Sequence, residues 1–144
     1  MGLSDGTIKM SFTILPDDLT AAGEASSSMK KMLNQLGVSP QLVKKAAIAM
    51  YEAEINAVIH GGGGIADIII DGQKIEILIR DEGPGIPDLE LAMQEGYSTA
   101  SDEIREMGFG AGMGLPNMKR YSDELIIHSE VGKGTSVKII VNFY

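Results

Sequence analysis

The apolar positions between Thr7 and Leu15 alternate: Ile8, Met10, Phe12 and Ile14 share one side. A period of two predicts a strand with one buried face. The period then changes. Met29, Met32, Leu33 and Leu36 follow the i, i+3, i+4, i+7 spacing of a core-facing helix, with Pro16-Asp17-Asp18 as its acidic start and Gly37 as its stop. Ser39-Pro40 reads as N-cap and first residue of a second helix, which runs through Ile48, Ile55 and Ile59 to the four glycines Gly61 to Gly64. Ile65 to Ile70 and Lys74 to Arg80 are strand-like, and Asp71-Gly72 between them predicts a hairpin. Leu89 to Glu95 predicts a short helix, and Gly96 to Met113, where no period survives, a mobile loop. Pro116 sits where a first helical turn tolerates it, so a helix is expected from there to Tyr121 or beyond. Glu124 to Ser129 and Thr135 to Phe143 close the chain as strands joined by Gly132-Lys133-Gly134. The order β-α-α-β-β-α-loop-α-β-β predicts an α/β (α+β) two-layer sandwich, a mixed, largely antiparallel sheet with helices on one face.

Composition narrows this picture. The 144 residues are the usual length of one domain, and with no repeat or linker in view a single domain over 1–144 is expected. Hydrophobic residues make up 44%, enough for a packed core. The net charge is −8, and no basic run exceeds the pairs Lys30-Lys31, Lys44-Lys45 and Lys119-Arg120, which argues against a nucleic-acid partner. With no cysteine there are no disulfides or thiolate metal sites. No signal peptide or long apolar span is visible, so the expected location is the cytoplasm, with no membrane partner.

Three groups of residues carry chemistry. Glu52 and Asn56 stand four apart, on one helical face, with His60 a further turn along. Facing a pocket, Asn56 can offer its oxygen to Mg²⁺, and Glu52 can orient or deprotonate an attacking hydroxyl. Taken alone, the pair also fits a solvated helix face. Glu54 points about 200° away from Glu52 and is not equivalent to it. His60 fits a structural place at the negative end of the helix. Asp81 directly follows a strand. A carboxylate there can accept from the exocyclic amine of adenine, whereas the carbonyl of guanine would leave it unpaired. Gly83 and Gly85 would let backbone approach the base, although Asp-Glu-Gly-Pro-Gly is equally a polar turn. Gly108, Gly110, Gly112 and Gly114 form an alternating string whose N–H groups can curl around phosphate oxygens, ahead of a helix near Leu115-Pro116. Two rival phosphate motifs fail. The glycines do not complete a G-x-G-x-x-G, and Gly132-Lys133 is followed by Gly134 where a P-loop needs Ser or Thr.

In order and spacing these blocks resemble the N, G1 and G2 boxes of the GHKL superfamily, which groups gyrase, heat-shock chaperone, histidine kinase and mismatch-repair ATPases. Glu130-Val131-Gly132-Lys133-Gly134-Thr135 is similar to its fourth, threonine-containing box, so the resemblance covers about Thr7 to Phe143. Leu91 to Thr99 and Gly114 to Arg120 look most like the stand-alone anti-sigma regulatory and switch-protein serine kinases. The resemblance implies a histidine-kinase-like (Bergerat-type) fold that binds ATP and Mg²⁺. It maps Glu52 to the general base and Asn56 to the Mg²⁺ ligand. Asp81 maps to the adenine acceptor and Gly83, Gly85 and Ile86 to the turn beside the base. Gly110, Gly112, Met113, Gly114 and Leu115 map to the ATP lid, and Thr135 to a position near adenine. It implies phosphorylation of a serine on a small sulfate-transporter/anti-sigma-antagonist domain protein. Some members also bind a sigma factor, and a homodimer stays open. A nucleotide-gated binding module that sequesters a regulator is the alternative. The chain departs from the pattern at Gly61 to Gly64, where relatives often carry bulkier residues. It departs again at Ser101 to Met107, which shifts Arg105 from the register of a phosphate contact. Ser98 and Thr99 lie in the same stretch.

Overall fold

The computed structural model describes residues 7–16, 22–60, 62–83 and 114–144. Among them run β1 (Ile8–Ile14), α1 (Glu24–Gln35), α2 (Pro40–Ile59), β2 (Gly64–Ile70), β3 (Lys74–Asp81), α3 (Gly114–Arg120), β4 (Glu124–Glu130) and β5 (Gly134–Asn142). The expected helix over Leu89–Glu95 and the loop Gly96–Met113 lie outside the described residues, as do Asp17 and Asp18.

The five strands form one sheet in the order β1-β2-β3-β5-β4. Every described pairing is antiparallel, where the sequence reading allowed a mixed sheet. The register lines up the alternating apolar positions in rows. Phe12, Ala66, Ile79, Val137 and Ile127 are successive partners, as are Met10, Ile68, Ile77, Ile139 and Leu125. These rows face the helices and form the core with Met29 and Leu33 of α1, Met50 and Val58 of α2, and Leu115 and Met118 of α3. The other face carries charge, including the pairs Arg80–Asp67 at 2.7 Å and Lys138–Glu76 at 3.7 Å. Apolar side chains on one face only are what require a second layer.

Local details depart from expectation for identifiable reasons. Leu36, expected in the core, is 46% exposed because it is the C-cap of α1, past the last inward turn. The β2–β3 hairpin forms, but its loop is Gly72-Gln73. Asp71 pairs with Lys74 across the turn, and its carboxylate accepts the N–H groups of Gln73 at 2.7 Å and Lys74 at 2.9 Å. α3 begins at Gly114, two residues before Pro116. Pro40 opens α2 as expected. Among the described residues no helix is long and apolar enough to cross a membrane.

Candidate functional site

Along β3 the inward positions read Ile75, Ile77, Ile79 and then Asp81. The alternation that buries the isoleucines therefore turns the Asp81 side chain toward the helix layer, at the end of a central strand. Its Oδ1 accepts the N–H of Gly83 at 2.9 Å and that of Thr135 at 3.2 Å. Two backbone donors on one oxygen fix the carboxylate, and among the described residues no hydrogen bond reaches Oδ2. Thr135, the β5 partner of Asp81, shares a 2.8 Å hydrogen bond between its hydroxyl and that of Ser129.

Glycines make this corner passable. A Cβ on Gly134 would run into the carbonyl of Asp81, and the residue's φ of +125° suits glycine in any case. Gly63 has φ +89°, and a Cβ there would stand 2.5 Å from the Ile14 carbonyl oxygen. Its N–H returns to the Ala57 carbonyl at 2.8 Å, so Gly63 folds back onto the helix just before β2 starts beside β1. This is a physical reason for glycine at position 63.

A cleft of about 1130 Å³ opens here, lined among others by His60, Gly63, Asp81, Gly83, Gly134 and Thr135. His60 is the C-cap of α2. Burial pushes its imidazole below the usual histidine range, and the nearby Asp81 charge opposes that shift. His60 thus stands at the helix end as expected and also forms part of the cleft wall.

Glu52 and Asn56 occupy the same stripe of α2, two turns and one turn before His60 respectively, and are half-buried. They are not part of the cleft wall around Asp81. Eight residues of helix separate Glu52 from His60, about 12 Å. Glu52 Oε2 accepts the Asn117 side-chain amide at 2.9 Å. The Asn56 side chain has no hydrogen-bond partner among the described residues. Those residues also contain no group of three His, Cys, Asp or Glu that could hold a metal. The donor set fits Mg²⁺, which keeps most of its waters and takes one or two protein oxygens beside substrate phosphates.

The structure thus brings Asp81, Gly83 and Thr135 together, with Glu52 and Asn56 along the adjoining helix. Gly114 opens α3, and Leu115 is 6% exposed in the core, so it can meet a ligand only through its backbone. Gly85, Ile86, Gly110, Gly112 and Met113 lie outside the described residues, as do Ser98, Thr99 and Arg105. The contacts of two residues were not foreseen from the sequence. Glu54 is 3% exposed and accepts the N–H groups of Gly23, Ala25 and Ser26 at 3.0–3.2 Å, capping α1 from outside. Its signal was there: it sits between Met50 and Val58 at helical spacing, inside an apolar stripe. Asn117 lies within Gly114 to Arg120, the run that resembles the kinase branch, but nothing in its spacing pointed to Glu52.

Residues 15–141 match the histidine kinase-like ATPase domain. The chain belongs to that family. It is 32% identical over 127 residues to the serine/threonine-protein kinase RsbT of Bacillus subtilis, covering 85% of this chain and 87% of that one. It is 42% identical over 92 residues to the anti-sigma F factor of Geobacillus stearothermophilus. That match spans 60% of each protein, less than two thirds of the relative's length. These relatives place it in the GHKL branch of anti-sigma serine kinases. The fold is shared with solved structures. One contains the RsbU and RsbW domains of a Mycobacterium tuberculosis protein, with TM-score 0.62 and 16% identity, covering 93% of this chain and 32% of that one. The other is the SiaB–SiaC complex of Pseudomonas aeruginosa, with TM-score 0.60 and 15% identity, covering 92% and 89%.

Proposed function

We propose that this chain is a cytoplasmic Mg·ATP-dependent serine protein kinase of the anti-sigma regulatory kind, acting as a single ATP-binding domain. Its substrate would be a serine on a small antagonist-domain protein, and a sigma factor is a second candidate partner. The observation that carries the reading is Asp81, turned inward at the end of β3 with Oδ1 held by two backbone donors. Oδ2 is left to accept the adenine amine, which favours adenine over guanine. Gly83 and Thr135 border the base. From there the α2 stripe leads to Asn56, whose amide oxygen would hold Mg²⁺, and to Glu52, which would take the proton of the acceptor serine. The metal, when bound, supplies neutralisation of the phosphate charge. The rest is positioning, which phosphoryl transfer chiefly demands. Gly110, Gly112 and Gly114 would supply backbone donors to the phosphates.

The test is incubation of the purified chain with Mg·ATP labelled at the γ-phosphate, beside the small antagonist-domain proteins of its own cell. Label should appear on a serine of one of them. With Glu52→Gln it should disappear while ATP affinity stays within about tenfold, ~1.4 kcal/mol. Tight ATP binding with no transfer to any candidate would favour the nucleotide-gated binding module instead.

A further inference from the structure

Asn117 makes a contact that the proposed function does not use. Its Nδ2 donates to Glu52 Oε2 at 2.9 Å, from α3 to α2. Among the described residues no other side chain hydrogen-bonds to the Glu52 carboxylate. Both ends of the contact are stiff. Asn117 stands between Leu115 and Met118, which are 6% and 0% exposed in the core, and its carbonyl accepts the Tyr121 N–H at 3.0 Å. Glu52 precedes Ala53, Glu54 and Ile55, all buried. The backbones cannot drift, but the glutamate side chain still has three rotors. Ordering such a side chain costs up to about 2 kcal/mol of rotamer freedom. One donor on one oxygen selects a single orientation and leaves Oε1 as the oxygen able to receive a proton.

We infer that Asn117 is a positioning residue for Glu52: its amide anchors Oε2 so that Oε1 faces the acceptor hydroxyl. This rests on Glu52 being the base. The substitutions separate the two ideas, because glutamine at 52 loses the base but keeps an oxygen for the Asn117 amide, whereas alanine at 117 does the reverse.

The experiment is phosphate release from Mg·ATP by the full chain under single-turnover conditions, with water as acceptor. ATP affinity and thermal midpoint are measured on each variant. Asn117→Ala should lower the rate at saturating ATP by about 10- to 100-fold, the scale of a misplaced catalytic group, with ATP affinity within about threefold. Asn117→Asp matches asparagine in shape but replaces the donor with a second carboxylate, so it should do no better than alanine. A space-filling role would make it better. In a Glu52→Gln background, Asn117→Ala should cost nothing further, since coupled residues are non-additive. Wild-type rates for Asn117→Ala and Asn117→Asp, where Glu52→Gln is inactive, would overturn the positioning role and leave the base standing. An equal loss in the Glu52→Gln background would also overturn it. Wild-type rates for Glu52→Gln, or no release by the wild-type chain, would overturn the base and this inference with it.

Discussion

On one side of α2 the Glu54 carboxylate is 3% exposed and spends both oxygens on three backbone N–H groups at the start of α1. On another side, two residues away in sequence, Glu52 is half-buried and meets one side-chain amide, that of Asn117. α1 begins after Gly23, which offers no side chain to its own exposed N–H groups, so Glu54 does the work of the absent cap. A buried carboxylate survives only when its lone pairs are answered, and here backbone donors and the positive helix end answer them. Glu52 has an oxygen left over. Two identical side chains on one helix therefore differ in what remains uncommitted: a saturated carboxylate can hold structure, and an unsaturated one can do chemistry.

The largest expected effect breaks the comparison on its structural side. Glu54→Ala would orphan three N–H groups at the start of α1 and should cost about 3 kcal/mol in urea unfolding. Glu52→Gln, which keeps an acceptor for Asn117, should move the same measurement by less than about 0.5 kcal/mol. Equal losses would erase the distinction.

Asp81 sharpens the chemical side. It resembles Glu54 in accepting backbone N–H groups, yet only one of its oxygens is so engaged. Asp81→Asn keeps that oxygen and offers an amide to the base, so stability should hold. ATP affinity by calorimetry should fall about tenfold, ~1.4 kcal/mol, with the preference for ATP over GTP narrowed. Unchanged affinity and selectivity would remove Asp81 from the adenine site.

The smallest effect belongs to His60, where the Glu52 stripe reaches the cleft. Its folded pKa lies below the unfolded 6.5, because burial disfavours the imidazolium more than Asp81 restores it. As pH falls below about 6.5 the unfolded chain takes up the proton first, so stability decreases and then levels below the folded pKa. Urea midpoints between pH 7.5 and 5.5 should show this slope, and His60→Gln should flatten it. A slope that survives the substitution would assign it to other groups.

Much of this was legible in the chain itself. A period of two marked β1, β-rich runs bounded by turn residues marked the other four strands, and the helical spacing of Met29, Met32 and Leu33 marked α1. Asp81 could be singled out because it directly follows a strand and opens an Asp-Glu-Gly-Pro-Gly turn; that it continues the inward side of β3 came from the structure. Asp71-Gly72 marked the β2–β3 hairpin, but not that Asp71 closes it through its own carboxylate.

The sequence by itself determined the layers, the order of the described elements and which residue types could serve a nucleotide, since these depend on local periodicity and composition. Only the tertiary structure decided which glutamate caps α1 and which receives Asn117. Glu54 meets Ser26 across 28 residues, and Glu52 meets Asn117 across 65. Local pattern fixes which way a side chain leaves its helix. What stands opposite depends on how distant segments pack, and that partner decides whether a carboxylate is spent on structure or free to react.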